Sequence, residues 1–303
     1  MFSLFALFSA SSYAEVKLSQ SGICHDQDSP WFARTNATKT YPNLSQCIDA
    51  GGRLPKGQTL TVTQPETRPE EPQPLSTKGN TNNPSFNAAK RQMREIFKDH
   101  KVTFYCQAGY DSDGNTQLPA GFSTPGYQRR SERIEWEHIV PAENFGRAFE
   151  AWHYAQDDQR CLNSRGRRLS NRDCALKHSE QFRYMHADRW NLVPAIGAVN
   201  AYRSNYRFTQ LSSNIENFFG TCPMKIDDWA VEPPEWTRGQ IARTYLYFDY
   251  AYPDFTLSSA KRQLFDAWNR QYPVQADECV RGERILRQQG NRNPYVNDAC
   301  DVH

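Results

Sequence analysis

The hydrophobic positions of FNAAKRQMREIFKDH, residues 86–100, recur with the period of a helix. They are Phe86, Ala89, Met93, Ile96 and Phe97. Residues at this spacing share one face of an α-helix, so the segment is predicted as an amphipathic helix. The pattern of residues 264–290 likewise predicts two helices, separated near Pro273.

Two shorter runs have the composition of strands. VTFYC, residues 102–106, and RIEWE, residues 133–137, flank a Gly- and Asp-rich excursion, DSDGN, and both are predicted as strands. From 176 to 208 the pattern is helical with a break at 191–194, where Pro194 suits the first turn of a new helix. Together these elements predict an α+β fold.

Composition divides the 303 residues into four parts. Residues 1–14, MFSLFALFSASSYA, are apolar and then small, and they end in a small-x-small pattern. A signal peptide is predicted there, with a buried N-terminal helix as the alternative. Residues 63–85 hold five prolines and no aromatic residue, which predicts a linker. It separates a small accessory module, residues 15–62, from one main domain, residues 86–303.

The eight cysteines indicate the compartment. No two are closer than thirteen positions, so there is no C-x-x-C motif. An even number of widely spaced cysteines behind an export signal predicts disulfides, and hence a periplasmic or secreted protein. Cys161–Cys174 and Cys24–Cys47 are the predicted pairs, because each closes a local loop; the pairing of the other four stays open. No later run reaches the length of a membrane helix, and the net charge of +2 indicates no partner.

Candidate chemistry begins at Glu137 and His138, which stand side by side in RIEWEHIVP. Neighbours in a continuing strand point to opposite faces. Pro141 ends the strand soon afterwards, so the two side chains are predicted to converge on a cleft at the strand exit. A histidine in an apolar run is, taken alone, equally well explained as a core residue.

A second candidate is Asn200, in the segment RWNLVPAIGAVNAYRSNYRF. On a helix, Arg203 and Arg207 would follow it on the same side, three and seven residues on. Ile196 and Val199 would face the core. A solvated helix face is the alternative interpretation.

The third candidate is the loop between Cys161 and Cys174, LNSRGRRLSNRD. Its arginines are Arg165, Arg167, Arg168 and Arg172, against one acid, Asp173. The planar guanidinium fork suits phosphate, and a disulfide would hold the loop in place. An ordinary surface loop is the alternative.

These groups supply what phosphodiester hydrolysis needs. A neutral imidazole can take a proton from water near pH 7. A carboxylate and an amide carbonyl are hard oxygen ligands that suit Mg²⁺, which neutralises charge on the leaving oxygen. Arginine would stabilise charge on the phosphate, and other basic side chains would hold the backbone without reading bases.

The runs IEWEHIVPA and FRYMHADRWNLVPAIGAVN resemble the bacterial endonuclease I family of periplasmic and secreted non-specific nucleases. The resemblance covers the main domain. It implies a ββα-metal nuclease core with surrounding helices and disulfides, to which the N-terminal cysteine-containing module is an addition. It implies that His138 is the general base, that Glu137 and Asn200 hold one divalent cation, and that Asn191 is structural. The cation is expected to be Mg²⁺, with Mn²⁺ or Ca²⁺ as alternatives.

The resemblance also implies an arginine that stabilises the phosphate. Arg172 is the predicted residue, and Arg168 is the nearest alternative. Arg167, Arg168 and Arg203 are predicted to bind nucleic acid. The substrate is expected to be DNA, and RNA as well, cleaved by a monomer with little sequence preference. No H-E-x-x-H or G-x-S-x-G motif supports another hydrolase class; the alternative is a secreted, non-catalytic nucleic-acid-binding or surface-interaction protein.

Overall fold

The computed structural model describes residues 16–26, 29–41, 44–55, 78–154 and 159–302. The chain divides into two compact units, Met1–Pro72 and Gln73–His303. The predicted signal peptide and residues 63–77 of the predicted linker lie outside the described residues.

The N-terminal unit is a small sheet held by one disulfide. Its elements are β1 (Val16–Ser19), β2 (Cys24–His25), β3 (Ala37–Tyr41) and α1 (Leu44–Asp49). The strands are antiparallel in the order β2-β1-β3. Cys24 on β2 is bonded to Cys47 on α1, as predicted, and both pack with Val16 in a very small core. So little buried apolar surface makes the disulfide a main source of this unit's stability.

The second unit combines many helices with short strands, which confirms the α+β prediction. Its helices are α2 (Phe86–Ile96), α3 (Gln128–Ser131), α4 (Ala142–Gly146), α5 (Glu150–His153), α6 (Asn171–His178), α7 (Glu180–His186), α8 (Gly197–Arg203), α9 (Glu235–Ala251), α10 (Ser259–Gln271), α11 (Ala276–Gln289) and α12 (Pro294–Cys300). Its strands are β4 (Gly109–Tyr110), β5 (Thr116–Gln117), β6 (Ile134–His138), β7 (Leu192–Ile196), β8 (Arg207–Phe208), β9 (Lys225–Asp227) and β10 (Ala230–Glu232). β4 pairs with β5 and β6 with β7, both antiparallel, and the third sheet has the order β8-β10-β9.

The core of this unit surrounds α9. Ile241, Leu246 and Phe248 of that helix are completely buried. Helix α2 buries Ala89 and Met93 on the predicted face. The two predicted C-terminal helices are α10 and α11, and α10 packs along α9. The strand pair β6–β7 and the helix α8 that follows it form a ββα unit at one side of this core.

Three disulfides cross-link the unit, one between distant segments and two across short stretches of sequence. They are Cys106–Cys222, Cys161–Cys174 and Cys279–Cys300. The pair Cys161–Cys174 confirms the prediction, and the other two pairs settle the four cysteines that the sequence left open.

The run VTFYC does not form a strand. Val102 makes one isolated bridge to Gly109, and the chain then turns through residues 104–106. The Thr103 hydroxyl accepts a hydrogen bond from the Ala108 amide at 2.9 Å, which closes a tight loop instead of a ladder. The β-branched and aromatic composition that favoured a strand serves core packing here.

Pro194 lies in strand β7, and not in the first turn of a helix. It stands opposite Trp136 on β6, and its carbonyl accepts a hydrogen bond from the Phe104 amide at 2.7 Å. Because this sheet has only two strands, a residue without an N–H is tolerated on the free edge. The helix begins three residues later, at Gly197.

The last residues of the predicted linker pack on the second unit. Asn80 is 1% exposed, and its amide donates to the carbonyls of Asn83 and Tyr184. Its backbone N–H donates to the Tyr252 hydroxyl at 2.9 Å. Residues 78–85 thus pack as part of the second unit.

Candidate active site

The end of strand β6 is fixed by Asn191. The backbone N–H of Ile139 donates to the Asn191 carbonyl at 3.0 Å. The Asn191 side chain accepts from the Val140 N–H at 2.7 Å and donates to the Val140 carbonyl at 2.9 Å. These bonds replace the sheet ladder at the point where the strand stops. Asn191 therefore has the structural role that the sequence predicted, and it holds Glu137 and His138 at the strand exit.

His138 has one ring nitrogen bonded and the other available. Its Nε2 lies 2.8 Å from the carbonyl oxygen of His186, which can only accept, so Nε2 carries the proton. Nδ1 keeps its lone pair and bonds to none of the described residues. Burial lowers the pKa of His138 to about 4, and the charges of Arg172 and Arg203 act in the same direction. The imidazole is thus neutral at pH 7 and oriented to accept a proton through Nδ1.

Glu137 is buried beside it. Tyr105 donates to its Oε1 at 3.0 Å, and Arg203 Nη1 lies 3.2 Å from the same oxygen. Burial raises the pKa of Glu137 to about 6, although the Arg203 charge and the Tyr105 hydrogen bond lower it. No described side chain donates to Oε2, which leaves that oxygen able to bind another group.

Asn200 is oriented by Glu135. Its Nδ2 donates to Glu135 Oε2 at 2.8 Å, and Glu135 is itself held by Arg130. The amide oxygen of Asn200 receives no hydrogen bond from the described residues. Gly197 permits this arrangement, because a Cβ there would lie 2.5 Å from the Arg130 carbonyl oxygen.

Glu137 and Asn200 fit a divalent metal. Both line one cleft of about 830 Å³ together with His138, Arg172 and Phe86, and it is named here the His138 cleft. Each offers one hard oxygen that accepts no side-chain hydrogen bond from the described residues, while its other polar atom is fixed. Such a donor set suits Mg²⁺, which takes few protein ligands and keeps several waters.

Arg172 is the one arginine of the Cys161–Cys174 loop that lines the His138 cleft. It lies in the first turn of α6, whose N-cap residue Ser170 accepts a hydrogen bond from the Asp173 N–H at 3.1 Å. Its guanidinium is exposed and makes no hydrogen bond or ion pair within the described part of the chain. Its charge lowers the pKa of both Glu137 and His138. Arg167 and Arg168 are exposed but do not line this cleft.

Arg203 differs from its predicted role in nucleic-acid binding. Its side chain is 0% exposed, and it donates to the carbonyl oxygens of His138 and Ile139 as well as pairing with Glu137. A guanidinium committed in this way supports the strand end and has no free fork for a phosphate. Arg207, predicted on the same helical side, lies beyond α8 in strand β8.

Sequence reasoning missed three residues of the site. Tyr105 reaches Glu137 from a loop that no local pattern marks. The His186 carbonyl is a main-chain group, which no side-chain motif could reveal. Glu135 had a signal, since residues i and i+2 of a strand share one face, which places it beside Glu137.

Comparison with known proteins agrees with this geometry. The sequence profile of the family Endonuclease I matches residues 85–300. An extracellular deoxyribonuclease of Aeromonas hydrophila is 39% identical over 223 residues, which cover 71% of this chain and 89% of that protein. A periplasmic deoxyribonuclease of the same species is 37% identical, over 71% of this chain and 86% of that protein. Endonuclease-1 of Buchnera aphidicola subsp. Acyrthosiphon pisum is 36% identical, over 71% and 82%.

These matches show that the chain is an exported nuclease, a phosphodiester hydrolase. The chain belongs to the endonuclease I family, whose enzymes use a divalent metal. Among the described residues, no helix is long and apolar enough to cross a bilayer.

Proposed function

We propose that the protein is an endonuclease that hydrolyses DNA, and RNA as well, with His138 as general base and Glu137 and Asn200 as ligands of one Mg²⁺ ion. The hydrogen bond from His138 Nε2 to the His186 carbonyl carries the proposal, since it presents Nδ1 to the His138 cleft in the neutral form. The relatives named as deoxyribonucleases support DNA as the substrate.

His138 Nδ1 takes a proton from a water molecule, and the resulting hydroxide attacks the phosphorus. The bond between the phosphorus and the 3′ oxygen breaks, and the leaving 3′ oxygen takes a proton from solvent. The Arg172 guanidinium, which has no partner among the described residues, binds the phosphate oxygens as their charge grows. Arg203 and Tyr105 hold the Glu137 carboxylate, and Glu135 holds the Asn200 amide, so both oxygens keep their places during the reaction. A bound Mg²⁺ ion would neutralise the negative charge on the phosphate and on the leaving 3′ oxygen.

Arg167 and Arg168 hold the nucleic-acid backbone near the cleft without reading bases, so cleavage has little sequence preference. One chain carries every group of the proposed mechanism, which is consistent with a monomer. Mn²⁺ and Ca²⁺ are alternative ions for the same two oxygens.

Replacement of His138 by alanine tests the proposal. Loss of a general base lowers the rate by about 10²–10⁴-fold, while binding to DNA persists because the arginines are unchanged. Plasmid cleavage and DNA affinity are measured on the same preparation, with and without a chelator. His100→Ala, at an exposed histidine outside the cleft, is the matched control and is expected to retain activity.

The same experiment separates the nuclease from a non-catalytic binding protein. Chelation is expected to stop cleavage by the wild type. If His138→Ala cleaved plasmid at the wild-type rate, the assignment of the general base would be wrong. The cleavage would then come from another site of the chain or from a contaminating nuclease.

A further inference from the structure

A second cleft, of about 660 Å³, adjoins the His138 cleft. Four basic side chains line it: Lys90, Arg91 and Arg94 from helix α2, and Arg133 from the chain just before β6. We name it the α2 groove. The two clefts share Phe86, Trp136 and Asn200, so they are continuous at the proposed metal ligand.

The charges of the α2 groove are largely uncompensated. Lys90, Arg91 and Arg94 make no ion pair within the described chain, and Lys90 lies 4.9 Å from the centre of the Phe86 ring. Two acids also line the groove, Asp113 and Glu135. Glu135 is already bonded to Arg130 and Asn200, while Arg133 is 59% exposed at 3.8 Å from it. The groove thus keeps a net positive charge facing solvent.

The shape of the groove suits a polyanionic strand more than a small ligand. Three of its four cations follow one helix, because residues 90, 91 and 94 lie on neighbouring turns of α2. The half-buried ring of Trp136 stands at the junction with the His138 cleft, where a base could stack on it. Basic side chains beside an aromatic ring are the elements with which proteins bind single nucleic-acid strands.

The position of the groove relative to His138 gives it a polarity. In phosphoryl transfer the attacking and leaving oxygens lie roughly in line across the phosphorus. His138 activates the attacking water, and neither His138 nor Arg172 lines the α2 groove. Asn200 does line it, and Asn200 is a proposed ligand of the ion that would neutralise the leaving oxygen. The groove therefore extends from the side of the phosphate that carries the leaving oxygen.

We infer that the α2 groove binds the phosphates of the nucleotides on the 5′ side of the scissile bond, which end in the leaving 3′ oxygen. The inference rests on the proposed nuclease function and adds a strand-binding site to it. Arg91 and Arg94 are the expected anchors, since both are exposed, both line the groove, and neither has an ion-pair partner in the described part of the chain.

Two chimeric oligonucleotides test this inference. Each has one normal phosphodiester bond between two arms, one arm of anionic phosphorothioate linkages and one of neutral methylphosphonates. In the first the 5′ arm is anionic, and in the second the 3′ arm is. The variant Arg91→Ala/Arg94→Ala is expected to lose about hundredfold in kcat/KM on the first, at about tenfold for each charged hydrogen-bonding group, and to stay within about twofold on the second.

Binding provides a readout that does not depend on turnover. In a His138→Ala background, the same double substitution should weaken binding of the first oligonucleotide and reduce the slope of log affinity against log salt by about 1.4, at about 0.7 for each lost contact to a single strand. Arg270→Ala/Arg287→Ala removes two exposed arginines outside both clefts and is the charge-matched control.

Equal losses on both oligonucleotides, a loss only on the second, or no loss on either would overturn the inference. Cleavage of an unmodified oligonucleotide by the wild type tests the proposed function separately. If the wild type cleaves it, but the double variant shows no selective loss of kcat/KM on the oligonucleotide with the anionic 5′ arm, the proposed function stands. The α2 groove would then not be part of the substrate-binding site.

Discussion

The two walls of the His138 cleft are built differently. The strand-end wall, which carries Glu137, His138, Asn191 and Arg203, is buried, and each of these side chains is held by at least one hydrogen bond or ion pair. The arginine-loop wall, residues 161–174, is mostly exposed and is closed by a single disulfide. Both walls reach the same cavity.

The difference reflects what each wall must do. A general base and metal ligands act only when their atoms are placed to within fractions of an ångström, which requires packed support. Contacts to a phosphate backbone work through charge and tolerate a mobile side chain. Changes in the strand-end wall should therefore affect stability and activity together, and changes in the arginine-loop wall should affect activity alone.

Arg203→Met should have the largest effect. It leaves the Glu137 carboxylate buried beside Tyr105 without its cation, and removal of one partner of a buried ion pair costs about 3–5 kcal/mol. It also releases the carbonyls of His138 and Ile139. We expect both a lower free energy of unfolding, measured by urea denaturation, and loss of cleavage.

The double variant Arg203→Met/Glu137→Gln distinguishes the two consequences. A neutral amide no longer needs the cation, so part of the stability should return while activity stays lost. A single variant as stable as the wild type would show that the strand-end wall does not depend on this ion pair.

Arg172→Ala should have an intermediate effect and should act on rate alone. By analogy with other groups that stabilise a charged transition state, kcat is expected to fall by about 10²–10³-fold. Since the guanidinium makes no described contact in the folded protein, the urea midpoint should not move. Steady-state cleavage assays and denaturation together check both statements.

Arg165→Ala is the matched control in the same loop, because that arginine is exposed and does not line the His138 cleft. Equal rates for the two variants would mean that the arginine loop contributes charge without a defined catalytic arginine.

The places of Glu137, His138 and Asn200 in the fold could be predicted because these residues lie within two short local motifs. Glu137 and His138 end a strand, Asn191 precedes the next strand, Asn200 lies in the helix that follows it, and the expected burial of Ile196 and Val199 is observed. A strand and the turn that follows it are set by neighbouring residues, so local patterns suffice. The support of Glu137 by Tyr105 and the formation of the α2 groove depend on contacts between distant segments, which no local pattern encodes.

The errors have the same origin. Arg203 has the right helical spacing from Asn200, yet spacing alone cannot tell whether a side chain on that face meets solvent or a buried carboxylate. Pro194 suits a helix start as well as a free sheet edge, and only its pairing with Trp136 decides between them. In both cases tertiary contacts outweighed a correct local preference.

The smallest expected effect concerns His186, whose ring lies 4.5 Å from that of His138. It is buried against Phe86 and Phe182, and neither ring nitrogen has a hydrogen-bond partner among the described residues. Burial lowers its pKa to about 2, and the nearby His138, Arg172 and Lys90 act in the same direction. The folded protein thus keeps His186 neutral at pH values where the unfolded chain binds a proton.

The free energy of unfolding must therefore fall as the pH drops below about 6.5, the ordinary pKa of histidine. The contribution of His186 to this fall is about 1.4 kcal/mol for each pH unit. His186→Phe removes the titrating group and suits the aromatic surroundings, so its free energy of unfolding should decline less steeply between pH 6 and pH 4. Urea denaturation across this range measures the difference, and His100→Phe, at an exposed histidine, is the control. If the free energies of unfolding of the wild type and of His186→Phe changed in parallel with pH, His186 would be protonated in the folded state as well. Water would then reach the His186 ring.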